Sequence, residues 1–311
     1  MEDELLTDEF VQLRKNKKRI LCPRLIVHDG YVKTCGQHLH ISHHEQRMGD
    51  PIQLGSLLDL KHLPDTAMTN RYYRRINTPE KTEGTQKAND IMLANLRKLS
   101  DAGVIIATGT DAGNIGTLHA SSYLTEVLAM QASGRSHWQI LEASTINGAK
   151  VLRKEKEFGS VSKGKKANMI LLEADPTTNS ENITKICRVI NKGVVIDPDT
   201  LIPVSPVALA QQQLNAYNLR DIDAFLEPYA DDVEIYNYPD NLLYKGQAEM
   251  KLDYSVLFQS APDLHCELAG RTVEGNIVTD QEIVRFGNRR IDANVIYHTG
   301  NGKIQKVYFK Q

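Results

Sequence analysis

Only four of the 311 residues are cysteine, Cys22, Cys35, Cys187 and Cys266, and no two of them form a CxxC pair. This excludes a zinc knuckle or a dithiol redox motif and leaves four free thiols suited to a reducing compartment. No run approaches the roughly eighteen consecutive apolar residues that a membrane-spanning helix needs. The opening MEDELLTDEF is acidic, unlike a signal peptide. A formal net charge of -2 lacks the basic excess of a polyanion binder, so neither nucleic acid nor membrane is expected as a partner. As given, the chain reads as cytoplasmic; an upstream segment would leave that open.

What is present is ordinary for a soluble protein, with 41% hydrophobic and 24% charged residues. The length favours two domains. MEDELLTDEFVQLRKNKKR has helical spacing, with Leu5, Leu6, Phe10 and Leu13 on one side, and ILCPRLIV reads as a strand. Residues 33–87 are weakly periodic and read as a long excursion. Residues 88–101 place Met92, Leu96 and Leu99 on one helical face, and Gly103 ends that helix before the apolar run Val104 to Thr108. A helix is expected from Ser121 or Ser122 with Leu124, Val127 and Leu128 inward. Ser136 and Gln139 fit a capping box for the next one, which carries Ile140, Ala143, Ile146 and Ala149. Strand, helix, strand, helix is the pattern of a parallel α/β layer.

Glycines then punctuate short β-prone runs in FGSVSKGKKANMILLEADP, and ICRVINKGVVI reads as a hairpin around Asn191, Lys192 and Gly193. DPDTLIPVSP, with Pro198, Pro203 and Pro206, is the best boundary in the chain. From Val207 a helical stretch leads into alternating runs at VEIYNYP, HCELAGRTV, NIVTDQEIVRF, ANVIYH and IQKVYF, an α+β domain.

The stretch GVIIATGTDAGN sets Asp111 at the mouth of an apolar strand, where parallel α/β folds expose functional groups. The same residues also make good turn or helix N-cap chemistry. Together GVIIATGTDAGNIGTLH, ASTINGAK and GSVSKGKKANMILLEADP resemble the C-terminal half of the metal-dependent amidohydrolases, the imidazolonepropionase-like and prolidase-like branch, from Met1 to about Ile196. Asn168 and Met169 stand where that family usually has Asp and Leu. The resemblance implies a (β/α)₈ barrel with a flanking β-sandwich. It makes Asp111 a ligand of a divalent metal, zinc before others, and a proton carrier for metal-bound water, and gives His119 a substrate-facing place. The family's HxH pair and remaining ligands precede this region and are absent. A barrel takes about 250 residues, and about 110 precede Asp111. The chain therefore reads as a partial barrel that begins after the sixth strand, to be completed by an upstream segment or a partner chain, and without that completion it would hold no cofactor. GQHLHISHHEQ contains His38, His40, His43 and His44, and His38 with His40 spells HxH. The polar YVKTCGQ before it is unlike a strand end, so at most adventitious metal capture is expected there.

AYNLRDIDAFLEPYADDVEIYNYP, LLYKG and GKIQKVYF resemble the SnoaL-like, ketosteroid isomerase-like cone fold, which implies a curved sheet around an apolar pocket. Where the isomerases carry two aspartates, this chain has Asn237, before Tyr238 and Pro239, and Asn294, so that mechanism loses both acids. Tyr217, Tyr236 and His265 are the expected pocket residues, with Tyr244, Asp280 and Glu282 as further polar candidates.

The expected architecture is thus an α/β partial (β/α)₈ barrel over 1–155, β-sandwich strands over 156–200, a proline-rich linker at 201–206 and an α+β cone fold over 207–311. The expected function is amidohydrolase-type, metal-assisted hydrolysis of a non-peptide or dipeptide-like C–N bond in a small molecule, incomplete in this chain alone. The alternatives are a ligand-binding or homodimerising cone-fold module, or an isomerase or dehydratase there.

Overall fold

The computed structural model describes residues 4–63, 68–201 and 204–310, with 68–70 as backbone only. The helices and strands run in order α1 Asp8–Asn16, α2 Ile26–Cys35, α3 His43–Met48, α4 Pro51–Leu58, α5 Met68–Ile76, α6 Pro79–Asp101, α7 Ser122–Ala132, α8 His137–Ser144, α9 Ile146–Val151, β1 Met169–Leu172, β2 Ile186–Asn191 and β3 Val194–Ile196. There follow α10 Pro206–Leu219, α11 Ile222–Leu226, β4 Tyr229–Asn237, β5 Asn241–Lys245, α12 Gln247–Ser260, β6 His265–Glu274, β7 Ile277–Phe286, β8 Arg289–Gly300 and β9 Lys303–Lys310. The chain divides into two compact units, Met1–His40 with Pro64–Ile202, and Ile41–Leu63 with Pro203–Gln311.

The first unit is mainly helical. Neither expected barrel strand forms: ILCPRLIV and VIIAT meet in a single parallel bridge between Leu21 and Ile106. Leu21 N–H donates to Ile105 O at 2.9 Å and Ala107 N–H to Leu21 O at 2.8 Å, and there the ladder stops. Pro23 has no N–H to give, Arg24 turns the chain with φ 53, and α2 begins at Ile26. On the other side of the run a helix stands where a strand would be needed. Asn147 Nδ2 donates to Ile106 O at 3.0 Å, and Thr108 N–H donates to Ala143 O at 3.1 Å. These bonds stand in for part of the ladder that a sheet would supply.

The excursion expected at 33–87 is instead largely helical, and α6 starts at Pro79 rather than 88. In α1 the buried residue is Val11, while Leu5, Phe10 and Leu13 are exposed. Asn95 sets this face by fixing the segment ahead of the helix: its Oδ1 accepts from Leu6 N–H and its Nδ2 donates to Glu4 O. Val11, Leu96, Leu99, Ile106, Val127 and Met130 anchor the core. β1, β2 and β3 make a three-stranded antiparallel sheet. Its hairpin turns through Lys192 and Gly193, both at positive φ, as the twist of a tight hairpin requires.

The second unit is a six-stranded sheet in the order β5-β4-β9-β8-β7-β6, antiparallel except for the β4–β9 pair. This fits the expected cone fold. Helices α10, α11 and α12 share its core, with Phe225, Ile235, Met250, Leu264 and Ile304 fully buried. Residues 41–63 belong to this unit, and α4 packs on α10. The close approach needs Gly55, because a Cβ there would lie 2.5 Å from Gln211 Nε2.

Candidate functional site

Asp111 follows the bridged segment on a turn with φ 55, and its side chain is 40% exposed. Its Oδ2 accepts from Arg24 Nη1 at 3.0 Å and from Asn114 Nδ2 at 2.8 Å. His119 is exposed on the same loop and lies over Gly113, where an added Cβ would meet its Nε2 at 3.4 Å. Among the described residues no three His, Cys, Asp or Glu side chains converge as metal ligands. A divalent ion ordinarily takes three protein ligands in a catalytic site, and here the carboxylate already faces a guanidinium that would repel it. These residues therefore do not fit the metal that the sequence implies.

The histidines after α2 add no such group among the described residues. His43 faces two acids of its own unit, with Nδ1 3.9 Å from Asp221 Oδ2 and Nε2 3.5 Å from Glu227 Oε1. No helix among the described residues is long and apolar enough to cross a membrane.

The first unit also buries a carboxyl that the expected inward face of α7 omits. Leu128 is exposed and Glu126 is fully buried. Glu126 accepts from Leu25 N–H at 3.1 Å and Ile26 N–H at 3.2 Å, satisfying otherwise orphaned donors at the start of α2. Burial pushes its pKa up to about 7 despite these bonds.

The second unit contains a cavity of about 260 Å³ between the sheet and its helices. Tyr217, Phe225, Met250, Tyr254, Val295 and Phe309 supply most of an apolar wall, with Asn237 at the end of β4. Tyr217 packs edge-on against Phe258 and Tyr254, and burial raises its hydroxyl above the ordinary range. Of the three pocket residues expected from sequence, Tyr217 alone lines this cavity. Tyr236 stacks on Tyr308 at 4.9 Å and donates to Glu234, outside the lining. His265 is buried, stacked on His62 at 3.5 Å, with Nε2 3.3 Å from Asp59 Oδ1. Asn294 is also absent from the lining, because the alternation of β8 turns Ala293, Val295 and Tyr297 inward.

The same alternation on β7 carries Val278, Asp280, Glu282 and Val284 inward, so two carboxyls sit on the core side. Asp280 is fully buried and paired in a fork, accepting from Arg271 Nε and Nη2 at 2.6 Å each. Arg271 Nη1 donates onward to Gln211 Oε1. Glu282 lines the cavity and makes no ion pair among the described residues. Tyr297 Oη donates to its Oε1 at 2.8 Å, Gln213 Nε2 donates to Tyr297 Oη at 2.8 Å, and Tyr229 Oη donates to Gln213 Oε1 at 3.2 Å. Burial pushes Glu282 up to about 7, partly opposed by the Tyr297 bond. Cys266 lies beside it with its thiol raised by burial, which makes it a poor nucleophile.

Residues 25–198 match the amidohydrolase family model, and residues 210–307 match the SnoaL-like domain model. Over 211 residues the chain is 22% identical to a 5-methylthioadenosine/S-adenosylhomocysteine deaminase of Thermoanaerobacter pseudethanolicus, covering 60% of this chain and 49% of that protein. Over 80 residues it is 35% identical to an imidazolonepropionase of Geobacillus sp., covering 26% and 19%. A solved Xaa-Pro dipeptidase with bound methionine is 19% identical with a TM-score of 0.41, covering 62% of this chain and 38% of that one. These matches span less than half the length of the curated relatives.

Proposed function

The chain belongs to the amidohydrolase family, and from that premise we propose that it contributes to hydrolysis of a C–N bond in a small molecule. The observation that carries this is Asp111, held at a left-handed turn on an exposed loop within the family-matched stretch. The deaminase and the imidazolonepropionase among its relatives favour a non-peptide substrate. Arg24 now occupies the carboxylate, and Asp111 becomes available as a proton acceptor only when that pair opens. The remaining catalytic groups come from outside the described residues, from a further segment or a partner chain. Ammonia release from 5-methylthioadenosine tests the reading, with and without added Zn²⁺. The expected result is none from the chain alone. A chain extended by any in-frame upstream sequence bearing the HxH pair turns over, and Asp111→Asn removes that activity. Turnover that survives Asp111→Asn contradicts the role.

The cavity in the second unit favours a second reading, in which the SnoaL-like domain binds a small molecule. Its lining combines aromatic and aliphatic side chains with Gln213, Asn237, Glu282 and several tyrosines, which suits a small molecule that has polar groups as well as apolar surface.

A further inference from the structure

We propose that the segment 41–63 is a pH-released clasp on the second unit, held at its C-terminal end by the stacking of a neutral His62 on His265 and let go when His62 takes a proton. The inference is independent of both readings above. The segment lies inside the amidohydrolase-matched stretch yet packs with the SnoaL-like domain, so the chain passes between the two units three times, after His40, before Pro64 and after Ile202. Whether the segment is held decides whether two of those passages are fastened.

Different chemistry holds its two ends. At the start and middle the contacts are directed hydrogen bonds: Gln46 Nε2 donates to Asp221 Oδ2 at 3.0 Å, and Asn215 Nδ2 donates to Pro51 O at 2.7 Å. At the end, a 3₁₀ turn over Asp59–His62 lays the His62 ring on His265 with centroids 3.5 Å apart and planes 5° from parallel. His265 is 4% exposed, and its Nε2 has no hydrogen-bond partner among the described residues, since Asp59 Oδ1 at 3.3 Å lies out of line. Ring-on-ring contact therefore fixes this end.

Such a contact resists a proton. The charged and titratable groups facing His62 are Asp59 and Lys61 on its own turn, His265 on β6 and Arg285 on β7. Arg285 stands directly across from His265 in the ladder and shares its charge with Glu267, whose Oε2 accepts from its Nη1. Of the four groups, Asp59 alone favours an imidazolium at His62. Partial burial, reinforced by His265, Lys61 and Arg285, pushes His62 down to about 4 from an ordinary 6.5. His62 is exposed, so protons reach it without unfolding. The released turn thus binds the proton more readily than the clasped one. The clasp has its full strength above about 6.5 and loses it as the pH falls toward about 4, the release equilibrium rising by up to about tenfold per unit.

NMR of the imidazole protons in the full chain from pH 8 to 4.5 tests this, with His62→Phe as a variant that stacks but carries no proton. In the parent at pH 8 each ring shifts the signals of the other, and both sets are expected to return together to free positions as the pH falls below 6.5. The side-chain amide of Asn215, bonded to Pro51 O, is expected to keep its place throughout, because only one end opens. In His62→Phe the His265 signals are expected to stay shifted down to pH 4.5. A stacking shift on His265 that persists in the parent to pH 4.5 overturns the inference, whether or not His62 has taken its proton. Loss of the stack in His62→Phe at the same pH as in the parent overturns it as well, since the trigger then lies elsewhere. An Asn215 signal that moves together with the stack contradicts release of one end alone. If His62→Phe fails to fold, the parent series decides between release and persistence by itself.

Discussion

Glu126 in the first unit and Glu282 in the second are both buried glutamates pushed up to about 7 by burial, yet their surroundings assign them opposite uses. Glu126 has both oxygens engaged by backbone N–H groups at the start of α2. Its location follows from a structural need, since those donors have no partner within the helix. Glu282 accepts a hydroxyl from Tyr297, shares a hydrogen bond with the Cys266 thiol, and lines a cavity. A raised pKa therefore does not mark a site by itself; what separates these two is whether the remaining lone pairs and proton have somewhere to go. Asp111 completes the contrast from the other side. It stands at the mouth of an apolar run within the family-matched stretch, but it is exposed and paired with Arg24, and among the described residues no group of metal ligands converges.

The largest effect expected near these acids concerns Asp280, because it alone depends on a buried cation. Arg271→Leu should destabilise the second unit by about 3–5 kcal/mol in urea unfolding, since it strands a fully buried carboxyl. A loss under about 1 kcal/mol would erase its distinction from Glu282.

The next effect is a pH dependence. Glu282 binds its proton more tightly folded than unfolded, so its contribution to stability is fully present below about 4.5 and is lost as the pH rises through about 7. The shift is equivalent to about 3 kcal/mol at most. Glu126 contributes in the same window. Unfolding midpoints measured from pH 4 to 8 should show this decline, smaller in Glu282→Gln and smallest in the double variant with Glu126→Gln. An undiminished decline in Glu282→Gln breaks the account of that residue.

Alanine at the two sites separates them further. Glu126→Ala should cost about 2 kcal/mol, because two buried N–H groups lose their acceptor, whereas Glu282→Ala should cost less, since the hydroxyl and the weakly donating thiol it loses are side chains that can turn to other partners. Equal losses would undo the comparison. The smallest expected effect is Arg24→Ala, within about 1 kcal/mol for an exposed ion pair; a larger loss would make the Asp111 loop a structural element.

Local signals in the sequence are legible where the partner lies within a few residues. Ser136 and Gln139 form their capping box, Ser121 precedes the start of α7, and the turn at Lys192 and Gly193 closes its hairpin. The helices within 33–87 had start signals too, Ser42 with Glu45, Asp50 before Pro51, and Thr78 before Pro79, but weak periodicity beyond them concealed their extent. The failure of VIIAT as a strand is non-local: its apolar character is real, with Ile106 and Ala107 buried, yet Pro23 and the side chain of Asn147 replace the ladder it would need. The rotated face of α7 has the same origin, because Glu126 is drawn inward by backbone donors a hundred residues away. The cone fold follows from alternation, and that alternation also placed Asp280 and Glu282 on the inner face. Which of the two would face the cavity depended on Arg271, a contact no spacing rule supplies.

Carboxyl ¹³C NMR titration of the full chain tests the central claim most directly, with Glu282→Gln and Glu126→Gln used to assign the two resonances. The account predicts a Glu282 midpoint near 7 and a resonance lost in Glu282→Gln. A Glu282 midpoint near the ordinary 4.5 would contradict it.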